Sequence, residues 1–152
     1  MADFTFNIAK GTIGYYAGLP AANDALIVVL LKSSGLEADA VLKDYDTLQA
    51  LLAAANDEAD FTNYTRKTLA SVTNTVDDTN DRRDIDCADF TYTAAGGATN
   101  NTCSKLLVCY DPDTTGGTDA DIIPLLAYDI SLTTDGNDVN VTVHANGLLR
   151  VT

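Results

Sequence analysis

The stretch Ser104–Ile130, SKLLVCYDPDTTGGTDADIIPLLAYDI, constrains the fold of this chain more than any other. Two apolar runs, Leu106–Tyr110 and Ile122–Tyr128, flank a loop of Asp, Thr and Gly. Short apolar runs bounded by turn formers read as buried strands, and the acidic loop between them reads as an exposed turn. The remaining segments must then supply the layers that cover this pair.

Taken in order, residues 1–24 contain Gly11, Gly14, Gly18 and Pro20 beside the pair Tyr15-Tyr16. That spacing fits an extended, irregular arm, with a plain N-terminal strand and loop as the other reading. We divide the chain into an arm over 1–20 and a single β-rich domain over 21–152. Ala25–Leu31 (ALIVVLL) is short, branched and continuous, as expected of a strand buried on both faces. One helix is expected over Thr47–Ala55, where Leu48, Leu51, Leu52 and Ala55 share a face. Asp46 and Gln49 have the spacing of a capping box at its start.

Beyond the helix the pattern turns to β. Strands are expected at Tyr64–Val72, Phe90–Tyr92, Val139–His144 and Leu148–Val151. Thr75–Asp86 (TVDDTNDRRDID) reads as a charged loop, Ala94–Asn101 as a flexible turn, and Asp135-Gly136 as a hairpin signal. Seven or eight short strands and one principal helix predict a mainly β, α+β fold, a compact antiparallel sandwich or barrel-like domain.

Charge narrows the partners. The 152 residues carry 22 acidic against 9 basic side chains, a net charge of −13 and a pI near 4.1. Such a surface repels phosphate backbones and anionic lipid, so neither nucleic acid nor membrane is an expected partner. The longest uninterrupted apolar run, Ala25–Leu31, is too short to span a bilayer, and Met1-Ala2-Asp3-Phe4 has no basic, apolar export signal. Synthesis in the cytoplasm is the expectation.

Chemistry finds few footholds. Asp111, Asp113, Gly116 and Asp119 match positions 1, 3, 6 and 9 of an EF-hand loop, but Ile122 stands where the bidentate Glu belongs. An ordinary acidic turn is therefore expected, and a calcium-dependent module is the alternative. The Asp77, Asp78, Asp81, Asp84 and Asp86 cluster, with Arg82 and Arg83 inside it, reads as a solvated or docking loop. His144 is the single histidine and lacks a nucleophile beside it, and no CxxC, HxxxH, GxSxG or P-loop occurs. No catalytic, cofactor-binding or metal residue is expected, and no cofactor. Cys109 reads as a small buried hydrophobe. For Cys87 and Cys103 a bridge and free thiols both stay open, with cytosolic folding favouring thiols. The Asn-X-Thr sequons at Asn63, Asn100 and Asn140 carry no weight without an export signal.

Three segments carry a resemblance: DFTNYTRKTL (Asp60–Leu69), VDDTNDRRDID (Val76–Asp86) and KLLVCYDPDTTGGTDADIIPL (Lys105–Leu125). With AAGGATNN between the last two and TTDGND after them, they resemble small virion structural proteins of tailed bacteriophages, over about residues 25–149. The resemblance implies a capsid decoration or minor capsid role on the capsid exterior, with the major capsid protein as partner. It implies a homo-oligomer, often a trimer, made in the host bacterial cytoplasm and without enzymatic activity. Cys87 and Cys103 depart from the family pattern. A tail- or fibre-associated adhesion protein is the alternative, and the arm over 1–20 is the expected docking segment.

Overall fold

The computed structural model of the protein describes residues 2–152. The chain runs β1 (Phe4–Thr5), a 3-10 turn (Asn7–Ala9), α1 (Ile13–Tyr16), β2 (Ala25–Lys32), α2 (Asp39–Leu42) and α3 (Leu48–Ala53). Then follow β3 (Lys67–Thr68), β4 (Thr73–Asp77), β5 (Arg82–Asp86), β6 (Phe90–Tyr92) and β7 (Thr102–Asp111). The last elements are β8 (Ile123–Thr133), β9 (Val139–Val141) and β10 (Leu149–Val151). The fold is mostly β, with antiparallel sheets packed together and three short helices, as the α+β sandwich expectation requires.

The opening stretch is the centre of the molecule. β7 and β8 pair antiparallel with Val108 opposite Leu126, and β2 adds to the other side of β7 with Val28 opposite Val108. β1 and β3 complete the sheet in the order β1-β8-β7-β2-β3. Ala25–Leu31 is buried throughout, because both faces of the sheet are covered. On one face Val28, Leu30, Leu106 and Val108 look across an apolar groove at Phe90, Tyr92, Val139 and Val141, from the small β6–β9 sheet. The other face receives the helices: Leu48 N donates to Ile122 O at 2.9 Å, and Leu48 and Leu51 are fully buried. Burying a leucine side chain contributes about 1.5–3 kcal/mol, enough to hold a helix too short to persist alone.

Several expectations are corrected. The helix over Thr47–Ala55 is shorter, and Thr47 rather than Asp46 caps it, its hydroxyl accepting Ala50 N–H at 3.2 Å. Ala55 is exposed. Within Tyr64–Val72 only Lys67–Thr68 pairs, with Ile27 and Val28. Left-handed backbone at Asn63 (φ 69°) and Ser71 (φ 55°) turns the chain away at both ends. Asp135-Gly136 does turn the chain, with Gly136 at φ 98°, but makes no hairpin: β9 leaves β8 and pairs with β6. Val139–His144 is strand only to Val141.

Thr75–Asp86 is the largest correction among the strands, because β4 and β5 form a hairpin that β10 extends. Its charges alternate with the pleat. Thr75, Asp77, Arg82, Asp84 and Arg150 share the outer face by register, where Arg82 Nε sits 3.1 Å from Asp77 and 3.0 Å from Asp84. Asn74, Val76, Arg83, Ile85, Leu149 and Val151 share the inner face, and Ile85 there is fully buried.

Nor do the first twenty residues form a separate arm. Phe6, Ala9, Ile13 and Ala17 are buried in the common core. Phe6 N–H donates to Leu125 O at 3.0 Å and Asn7 N–H to Lys43 O at 2.8 Å. Tyr16 packs on Tyr110 with ring centroids 4.9 Å apart. The glycines that suggested irregular chain permit tight turns around an apolar stripe; only Gly11 among them needs positive φ (80°).

Candidate docking interface

The N-terminal turns and the three-stranded sheet enclose an open cleft of about 680 Å³. Lys10, Gly11, Ile13, Gly14 and Tyr15 form one wall; Arg83, Leu149, Arg150 and Val151 form the other. Three of the chain's 9 basic residues thus line one cleft, and no Asp or Glu lines it. In a molecule with 22 acidic residues this separates charge sharply. Lys10 and Arg83 give the cleft a local positive field that favours incoming anionic groups.

The cations are placed by different means. Arg150 is held by Asp84, with Nε 2.7 Å from Oδ1, and this contact first, then burial acting against it, keeps the Asp84 carboxyl below its usual range. Lys10 and Arg83 instead meet neutral oxygens. Lys10 Nζ donates to Asn7 Oδ1 at 2.6 Å, and Arg83 Nη1 makes a long contact of 3.4 Å with Gly14 O. Their charge is therefore directed at the cleft rather than cancelled. Near the cleft Tyr15 is 65% exposed, Val76 55% and Val151 45%, three of the five large apolar residues exposed on the described surface. Val76, Arg83 and Val151 stand in one row across the sheet. A basic centre with an aromatic and aliphatic rim suits a protein surface carrying acidic and apolar groups.

The acidic loop is used internally. Asp111 Oδ1 accepts Asp113 N–H at 3.1 Å, Asp113 accepts Thr115 N–H and hydroxyl, and Asp121 accepts from Thr118. Asp119 is drawn away to Arg66, which also grips Glu58, with Nη2 2.6 Å from Oε2. These carboxylates point to separate partners, and among the described residues no three acidic, His or Cys side chains converge as metal ligands. His144 Nδ1 accepts Asn146 N–H at 3.1 Å and lines the apolar groove with Val28, Phe90 and Val141. Cys87, Cys103 and Cys109 are free and buried. Burial, before the nearby acids, pushes the Cys87 thiol up to about 11. The sequons lie in local bonds, with Asn63 Nδ2 donating to Ala94 O at 2.9 Å and Asn140 Oδ1 accepting Thr91 hydroxyl at 2.7 Å.

Sequence reasoning missed Lys10 and Arg83. Arg82 and Arg83 are adjacent and look alike in sequence, yet the pleat sends one to the outer ion ladder and the other into the cleft. The alternation Arg83-Asp84-Ile85-Asp86 was the available signal. Comparison with known proteins gives no matching family model, no matching curated protein and no matching solved structure.

Proposed function

We propose that this chain is a virion structural protein of a tailed bacteriophage, of the capsid-decoration type, which docks on the outside of the shell and stabilises it. The observation that carries the reading is the cleft lined by Lys10 and Arg83, with the Asp84-paired Arg150 on its β10 edge, on an otherwise acidic β body. An acidic body resists non-specific contact with its own copies and with DNA, while one basic, apolar-rimmed face gives it a defined way to sit down. The sequence resemblance supports the same role.

The partner is the major capsid protein, offering an acidic segment to the cleft. Each copy contributes mechanically, by bridging neighbouring shell subunits through many weak contacts, and acts as a homo-oligomer. Copy number per virion tests the assignment. Hundreds of copies spread over the shell are expected; tens of copies at the tail tip would make it a tail- or fibre-associated protein instead.

A further inference from the structure

Lys105 lies on β7 within the core run, and its side chain is fully buried. Its ammonium contacts the carboxylate of Asp129, the residue directly opposite on β8. Asp39, from α2, brings Oδ1 to 2.9 Å of Nζ, and Ala2 O accepts from Nζ at 3.1 Å. The Phe4 ring closes over the amine, its centroid 5.0 Å from Nζ. One amine and two carboxyl groups are thus held together under an aromatic lid.

We infer that Lys105 and Asp129 condense to an intramolecular isopeptide bond that staples β7 to β8, with Asp39 relaying protons. An ammonium proton passes by way of Asp39 to Asp129, leaving a neutral amine beside a protonated carboxyl. Nζ attacks Cγ, the Nζ–Cγ bond forms, and the Cγ–O bond breaks. The departing oxygen leaves as water with two of the three ammonium protons, and the third remains on the amide. Asp39 ends as it began, and no oxidant or further reactant is consumed.

Four features favour the step. Holding the Lys105 ammonium out of water is costly, and the neutral amide it becomes carries no such cost. Fixed contact between amine and carboxyl replaces a bimolecular encounter, an advantage worth effective molarities of about 10⁵–10⁸ M in well-oriented intramolecular reactions. Asp39 Oδ2 is anchored by Ala2 N–H at 2.7 Å, while its buried Oδ1 faces the amine with no other hydrogen-bond partner. The Asp129 side chain is 31% exposed, which gives the released water a way out.

Tryptic mapping of the denatured wild-type protein decides the matter. Lys105 is the only cleavage site between Arg83 and Arg150. An isopeptide bond blocks it and leaves one fragment, 84–150, lighter by one water. Two fragments, 84–105 and 106–150, would overturn the inference, even if one were dehydrated at Asp135-Gly136. Asp129→Ala should restore the unmodified mass and the cut. Asp39→Asn should leave most of the freshly purified protein unreacted, releasing 84–105 and 106–150, and conversion as complete as in the wild type would remove the relay role.

Discussion

Arg83 lies across Gly14 so closely that a Cβ on Gly14 would fall 2.5 Å from Nη1 and 3.2 Å from Cδ. The missing side chain lets a β5 cation reach the N-terminal turns and complete the cleft. Gly14 sits in α1 with ordinary helical backbone, so alanine suits the helix itself and gains about 1 kcal/mol there at most. Gly14→Ala should therefore leave the melting temperature nearly unchanged while turning the guanidinium outward. Shell binding should weaken severalfold, and unaltered binding would separate Arg83 from docking.

The N-terminal segment should prove structural as well as functional. Phe6 is fully buried and touches Phe4, with centroids 5.2 Å apart. Phe6→Ala is expected to cost about 3–5 kcal/mol. Urea unfolding would measure it, and a loss below about 1 kcal/mol would contradict burial. Deleting 2–18 should for the same reason unfold or severely destabilise the domain rather than release an intact body.

Legibility in the sequence followed chemistry that announces itself locally. Ala25–Leu31 and the β7–β8 pair are apolar on both faces, so their role could be read from composition along the run. Phe6, Ala9, Ile13 and Ala17 are spaced to share a face, but the intervening glycines read as breakers. Lys105 stands just outside the apolar run Leu106–Tyr110, and nothing local tells a lysine that it will meet Asp39 and Asp129. Arg83 was hidden for a related reason: its function depends on which side of the pleat it takes.

Arg66 should be a major polar contributor. It binds Glu58 and Asp119 together, and Tyr64 hydroxyl donates to the same Glu58 at 2.8 Å. Arg66→Ala leaves two half-buried carboxylates unpaired and should cost about 2–3 kcal/mol, measured by urea denaturation. A cost under half a kcal/mol would show that solvent screens the network.

Acid should weaken the fold through its paired carboxylates. The hydrogen bond from Arg66 holds Asp119 below the usual range despite opposing burial, and Arg150 does the same for Asp84. A folded pKa below the unfolded value, about 3.9 for Asp, means the stabilisation is complete above that pH. It is lost as pH falls through the lower folded values. The melting temperature should thus be insensitive to these two groups from neutrality to about pH 5 and fall below about pH 4. Arg66→Ala should flatten the Asp119 part of that fall.

The thiols should be silent in the native protein. Burial first, then nearby acids, raises Cys87; for Cys103, burial dominates and the thiol also rises to about 11. Burial likewise pushes Cys109 up. At neutral pH all three remain protonated and shielded. A thiol reagent should label none on the timescale of minutes and all three after denaturation. Rapid native labelling would contradict their burial.

Binding of the purified protein to shells of its phage's major capsid protein tests the central claim most directly, comparing wild type with the Lys10→Glu, Arg83→Glu double variant. The wild type should saturate at hundreds of copies per shell. The variant should bind at least tenfold more weakly, equivalent to about 1.4 kcal/mol, with the fold retained. Equal binding of the two proteins, or no binding of the wild type, would contradict it.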